Sequence, residues 1–318
     1  MIKQTDSQKV ANLIDYLKKV PFDVNRDNLY TAQELYEGYD SQKEPDKASY
    51  YDQRVYAHYI ANGKQATSID ESLARTLHDH SIHTAMDAFF KTHHSRRCVG
   101  IMGGHALTRT EKSYRQVVLL SKRLTEEGFY MLSGGGPGAM EATHLGAWLA
   151  GRDRSVVDDA LQTLSEAPTF HDKEWLSSAF RVMEKYPQST YHSLGIPTWL
   201  YGHEPTTVFA THIAKFFENS IREESILTLA YGGIVYTPGS AGTVQEIFQE
   251  AVKNHYLSCG YSSPMIFLGK EFWSHELPVY PMLEQLMQSG IYKNLLLTIA
   301  DDEETAVKEL IRFSQQQI

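Results

Sequence analysis

The sequence predicts an α/β protein: a doubly wound, mainly parallel sheet preceded by a helical N-terminal extension. Three observations lead there. From Arg96 onward, short apolar runs of strand length alternate with helical stretches, the pattern of right-handed crossovers between parallel strands. Three of those apolar runs end in glycine-rich loops that open helices. Residues 1–94 show helical periodicity without any such loop, which divides the chain into an extension (1–94) and a sheet domain (95–318).

Taken in order, Ala11, Leu13, Ile14 and Leu17 share one early helical face, and Leu73, Leu77, Ile82, Met86, Phe89 and Phe90 mark later ones. The aromatic-rich run Tyr50 to Tyr59 reads as a helix packed on a neighbouring surface rather than a stacking platform. His78-Asp79-His80-Ser81-Ile82-His83 places His80 and His83 on one helix face, but the spacing fits no zinc pattern, so a polar helical surface is expected. His93 to Arg97 is a basic linker too short to argue for nucleic acid. Strands are expected near 98–102, 129–133, 193–199, 211–217, 232–236, 264–268 and 294–299, with a helix from about Glu111 to Glu127. Residues Arg152 to Tyr191 interrupt the alternation with a helical pattern from Trp175 to Met183. At that length they read as an insertion over the site.

The chemistry concentrates in the loops. Gly233 to Tyr236 is a buried strand that runs into Pro238-Gly239-Ser240-Ala241-Gly242-Thr243-Val244-Gln245-Glu246 and then a helical pattern. Free N–H groups at a helix N-terminus converge on an anion, and glycine lets the backbone approach it closely. Glu246 adds a carboxylate early in that helix, which suggests chemistry on a phosphorylated small molecule. The same shape occurs upstream, where a strand leads into Gly134-Gly135-Gly136-Pro137-Gly138-Ala139-Met140-Glu141. A third apolar strand ends in Gly103-Gly104-His105. In an open parallel sheet the carboxyl ends of the strands line the ligand crevice, so Gly103, Gly135 and Gly239 are expected around one site.

Structural uses compete with these roles. Thr243 and Glu246 also have the spacing of a capping box. Glu141 either contacts ligand or complements its helix dipole. His105 either binds base or ribose or fills a turn, and Arg222, among Glu218, Glu223 and Glu224, is either a site residue or a surface ion pair.

The ordered motifs resemble the LONELY GUY (LOG) family and the related bacterial nucleotide 5′-monophosphate nucleosidases. PGSAGTVQE is similar to the family's PGGxGTxxE, and GGGPGAM at Gly134 to Met140 to its GGGxGxM. Gly103-Gly104-His105 resembles a GGHS loop, and Gly195-Ile196-Pro197 a GVIP segment. The matches run in family order over Arg96 to Leu268 and imply a Rossmann-like nucleotide-binding fold. Ser240 replaces the second glycine of PGG, adding a hydroxyl that either donates to phosphate or narrows the cradle. The family arginine before that loop aligns with Arg222 once a single inserted residue is assumed; without it the match falls on Glu223.

The resemblance implies hydrolysis of the N-glycosidic bond of a nucleoside 5′-monophosphate to free base and ribose 5-phosphate. Glu246 then either stabilises an oxocarbenium-like sugar or activates water, and Arg222 grips phosphate or sugar oxygens. Pro238, Gly239, Ser240, Gly242 and Thr243 would hold the phosphate, while Gly134, Gly135, Gly136, Gly138, Met140, Glu141, Gly103, Gly104 and His105 frame ribose and base. The scheme needs no metal and no cofactor, and the resemblance implies a homodimer or higher homo-oligomer. The alternative is a nucleotide-binding or sensing protein of the same fold without turnover. An amino-acid decarboxylase, a label attached to this family by name, is disfavoured because no lysine in a recognisable pyridoxal-phosphate setting accompanies the loops.

Composition agrees with an enzyme. The 318 residues are 42% hydrophobic, enough for a substantial core, and the formal charge of −9 argues against a nucleic-acid polymer as partner. A mononucleotide needs only local N–H groups. The two cysteines, with Cys98 in an expected strand, point to buried thiol rather than disulfide and to a cytoplasmic setting. No signal-like or membrane-spanning apolar run is expected.

Overall fold

All seven expected strands form one parallel sheet. A computed structural model describes residues 6–40, 49–92 and 97–316. Its strands are β1 (Cys98–Met102), β2 (Tyr130–Ser133), β3 (Ser193–Gly195), β4 (His212–Ile213), β5 (Gly233–Tyr236), β6 (Pro264–Leu268) and β7 (Leu296–Ala300). They lie in the order β4-β3-β2-β1-β5-β6-β7, with every neighbouring pair parallel. β1, β5 and β6 are buried along their whole length, as apolar strands covered by helices on both faces must be.

The extension holds α1 (Asp6–Leu17), α2 (Ala32–Leu35), α3 (Tyr51–Ala61) and α4 (Ile69–Thr92). α5 (Lys112–Glu126) follows β1 at the expected place, and α6 (Ala139–Trp148) follows β2. Between β2 and β3 the chain adds α7 (Arg154–Leu164) and α8 (Trp175–Lys185). Beyond β4 come α9 (Asn219–Leu229), α10 (Ala241–Tyr256), α11 (Val279–Gln288) and α12 (Glu303–Gln316). No described helix is long and apolar enough to cross a membrane. The basic run at His93 to Arg96 lies outside the described residues.

Two strands are shorter than expected, 193–195 instead of 193–199 and 212–213 instead of 211–217. Pro197 has no N–H to give the ladder, and beyond it only Thr198 pairs again, in a single bridge to Phe216. The outer edge of β4 is then covered by the extension: Tyr30 and Ile213 exchange both backbone hydrogen bonds, at 2.9 and 2.8 Å. An exposed edge that would invite pairing with another chain is thereby closed.

Two of the helical faces read from sequence do not pack as expected. α1 has no buried residue, and Leu73 and Leu77 of α4 are exposed, whereas Ile82 and Met86 are in the core. In the His78 to His83 run, His80 and His83 are exposed, as a polar surface requires, but the other face of the same run is buried. His78 is fully buried, with Nε2 2.9 Å from the Tyr30 hydroxyl and Nδ1 2.9 Å from Asp79. Asp79 accepts the backbone N–H groups of Phe217 (2.9 Å) and Glu218 (2.8 Å), just ahead of α9. Asp52 of α3 reaches further into the core, accepting from Trp199 Nε1 at 2.8 Å and pairing with buried Lys215 at 2.7 Å. The extension and the sheet therefore share their buried polar contacts as well as their apolar core.

Candidate functional site

The strand order reverses between β1 and β5, and at such a switch point two loops diverge to opposite faces and leave a crevice above the carboxyl ends of the strands. A cleft of about 240 Å³ opens there. It is lined by Gly103, Gly104 and His105 after β1, by Gly134 and Met140 after β2, and by Ser240, Gly242, Thr243 and Glu246 after β5. Arg222 and Glu223 of α9 enter from the side, and Tyr201, Glu204 and Gln245 complete the wall. The residues singled out by sequence thus converge from three adjacent, parallel strands.

Close packing between loops explains several of the glycines. A Cβ on Gly103 would sit 1.8 Å from Thr237 Oγ1, and one on Gly239 would meet Thr243 Oγ1 at 2.2 Å. Gly138 has φ +69°, and its Cβ would meet the Gly104 carbonyl oxygen at 2.4 Å. Gly135 is pressed by Pro197, and Gly136 by Met140. The loops are also clipped together: Gly104 N–H donates to Pro238 O (3.1 Å), and Ala139 N–H, the first of α6, donates to Gly104 O (3.2 Å).

The N-terminus of α10 differs from that of α6. Val244 N–H is the first to find a helical partner, the Ser240 carbonyl at 3.0 Å, so the N–H groups of Ala241, Gly242 and Thr243 precede intrahelical bonding. A Cβ on Gly242 would meet nothing within 4 Å. The capping-box alternative fails here. The helix starts at Ala241 with Ser240 at the N-cap, no side chain caps it, and Thr243 stands inside the first turn.

Glu246 lies deep enough in the crevice for burial to push its pKa up to about 7; Arg222 pulls it down and Glu223 raises it. At neutral pH such a carboxyl exchanges protons readily. Arg222 donates from Nε to the Ile196 carbonyl at 3.1 Å, and its guanidinium covers Gly134, where a Cβ would lie 2.2 Å from Nη2. That glycine leaves room for the arginine. Glu223 is held by Asn219 (2.7 Å) and Gln245 (2.8 Å), so α9 presents a cation and a fixed carboxylate side by side.

Glu141 lies outside this group. It is fully buried, paired with Arg109 at 2.5 Å, and accepts from the Tyr114 hydroxyl at 2.7 Å. Arg109 in turn donates to the Ala167 and Trp175 carbonyls and to Ser178, so the pair anchors the inserted helices. That insertion stands beside the crevice: Arg109 N–H donates to Pro168 O at 3.0 Å, and the Phe170 ring meets His105 edge-on at 6.3 Å. Ser133, His144 and Ser193 form a hydrogen-bonded line at 2.8 and 2.9 Å that superficially suggests a nucleophile with its base. All three are fully buried, and burial drives His144 down to about 3, so it joins β2, α6 and β3 as a neutral ring.

Sequence reasoning missed Tyr201, Glu204, Glu223 and Gln245. The one available signal for Glu204 was the turn sequence Gly202-His203-Glu204-Pro205 following a strand's carboxyl end. A larger cleft, of about 810 Å³, lies between α4 and α9. Its charged side chains include Arg75, bound to Glu71 at 2.6 Å, and Asp79, already satisfied by backbone N–H groups. The switch-point crevice has the better claim because its carboxyl group is perturbed and its N–H groups are open.

No protein-family model matches the chain, and no curated protein matches its sequence. Among solved structures it is similar to the molybdenum cofactor binding protein from Rippkaea orientalis, with 16% identity, TM-score 0.42, and 68% of this chain and 96% of that one covered. The molybdenum cofactor carrier protein from Chlamydomonas reinhardtii gives 17%, 0.40, 68% and 98%. A protein designated TM1055 gives 17%, 0.43, 68% and 99%. With every TM-score below 0.5, these overlaps assign this chain neither ligand nor reaction.

Proposed function

We propose that this chain hydrolyses the N-glycosidic bond of a nucleoside 5′-monophosphate. The observation that carries the reading is the pairing, in one switch-point crevice, of a helix N-terminus open to an anion with a carboxyl group poised near neutrality beside an arginine. The 5′-phosphate sits at the start of α10, facing the N–H groups of Ala241, Gly242 and Thr243, with the Ser240 and Thr243 hydroxyls as further donors. Arg222 holds phosphate or ribose oxygens. Glu246, ionised, takes a proton from water as the oxygen bonds to C1′. The electron pair of the C1′–N bond leaves with the base, which takes up a proton from solvent as Glu246 releases the one it took from water, and ribose 5-phosphate remains. The negative charge of Glu246 also stabilises the oxocarbenium-like sugar while that bond breaks.

The scheme requires no cofactor. We place the enzyme in the cytoplasm on its sparse cysteines, and as a homodimer or higher homo-oligomer following the motif resemblance. Binding without turnover is the second reading, favoured by Ser240, which stands exposed in the crevice where the resembling motif has bare backbone. Incubating the protein with a panel of nucleoside monophosphates and measuring free base together with ribose 5-phosphate separates the two. Stoichiometric binding with no base released selects the second.

A further inference from the structure

We propose that Glu204, with Tyr201, forms the base-recognising end of the crevice and selects nucleobases that carry an exocyclic amino group. This inference rests on the nucleotide reading above. The Glu204 side chain is 15% exposed, and the nearest ring nitrogens among the described residues, His105 Nε2 and His203 Nε2, are each 3.9 Å away. That distance is too long for a hydrogen bond. The carboxylate opens onto the crevice without a close protein donor among the described residues, so a ligand N–H can take the place of water there. Beside it, Tyr201 lines the same crevice and is 45% exposed, leaving a ring face on which a base can stack.

Position supplies the direction. The phosphate end of the crevice follows β5, Arg222 lies over Gly134 after β2, and Glu204 belongs to the segment after β3, with its Oε2 3.6 Å from where a Cβ on Gly136 would stand. Because the sheet runs β3-β2-β1-β5, Glu204 lies at the opposite end of the crevice from the phosphate. A nucleotide laid across the switch point from its phosphate puts its base there.

The segment carrying Glu204 is fixed on both sides. Trp199 donates to Asp52 at 2.8 Å, Thr206 Oγ1 accepts from Lys215 at 2.8 Å, and Thr207 N–H donates to Gly135 O at 2.9 Å. The carboxylate is therefore preorganised. Ionised, it only accepts hydrogen bonds, so the amino groups of adenine and cytosine satisfy it, whereas the keto oxygens of hypoxanthine and uracil at the same positions meet its lone pairs.

The test is calorimetric binding of two matched pairs, adenosine against inosine 5′-monophosphate and cytidine against uridine 5′-monophosphate, to wild type and to Glu204→Gln. The amino member of each pair is expected to bind about tenfold tighter to wild type, the scale of a hydrogen bond to a charged group. In Glu204→Gln, whose amide can donate to a keto oxygen, the ratio is expected to fall below about threefold. Wild-type ratios below about threefold in both pairs, or a preference that Glu204→Gln leaves intact, overturn the proposal. Selective binding without release of base would leave base recognition standing and sink the hydrolysis; equal binding and equal release from all four nucleotides would do the reverse.

Discussion

Glu246 stands half-buried in the crevice wall, where one side chain is asked to be both partly desolvated and charged. If its ionised form is the base, turnover rises with pH through about 7 and levels off above it. Glu246→Gln is expected to lower turnover by about 10²-fold or more, the usual weight of a general base, while nucleotide affinity stays within a few-fold. Stability follows from the same shift. A carboxyl group whose folded pKa is raised above its unfolded value of 4.5 favours the fold below that value and loses this contribution as pH rises through about 7. Glu246→Gln, which cannot ionise, is therefore expected to be more stable than wild type at pH 8, by on the order of 1–3 kcal/mol, and to match it near pH 4. Melting curves at the two pH values check this, and a loss of stability at pH 8 would contradict the burial of a charge. The carboxylate and the glycine loops were legible in the sequence. Glu204 was not, because its importance comes from lacking close donors, and only packing decides that.

The elements separate glycines that serve the fold from one that is open to the crevice. Gly138 opens α6 with φ +69° against the Gly104 carbonyl. Gly138→Ala is expected to cost about 1–3 kcal/mol, since it adds both a strained backbone and an overlap with a neighbouring loop. Gly242 lies in the first turn of α10 with open space around it. Gly242→Ala is expected to change stability by less than about 0.5 kcal/mol and to weaken nucleotide binding by reaching into the phosphate position. Urea denaturation with nucleotide titration of both variants distinguishes these roles. Equal affinity in Gly242→Ala would move the phosphate away from α10. At this scale the sequence reading gave the loops before α6 and α10 the same cradle shape, because it could not see that the Gly104 carbonyl occupies the first N–H of α6.

For the whole molecule, the extension and the sheet are joined by charges placed where water is absent. Burial lowers the pKa of Lys215, and Asp52, a long way off in sequence, counters that effect. Removing one partner leaves the other charged and unsatisfied, so Asp52→Ala is expected to destabilise the fold by about 3–5 kcal/mol. It should also loosen the Trp199 to Thr206 segment that carries Tyr201 and Glu204. A denaturation midpoint close to wild type would contradict this coupling. Light scattering is expected to show at least a dimer; a fully active monomer at micromolar concentration would remove the assembly from the proposal. Periodicity and turn chemistry act over a few residues, so the sequence by itself determined the seven strands, the helix after β1, the three glycine loops and their common edge. It also singled out Glu246 and Arg222. The tertiary structure alone decided that Glu141 and His78 serve buried networks, that α1 stays peripheral, that Arg222 rather than Glu223 lies over Gly134, and that Glu204 enters the crevice. Each of these depends on which groups from distant parts of the chain exclude water from one another, and local sequence does not carry that information.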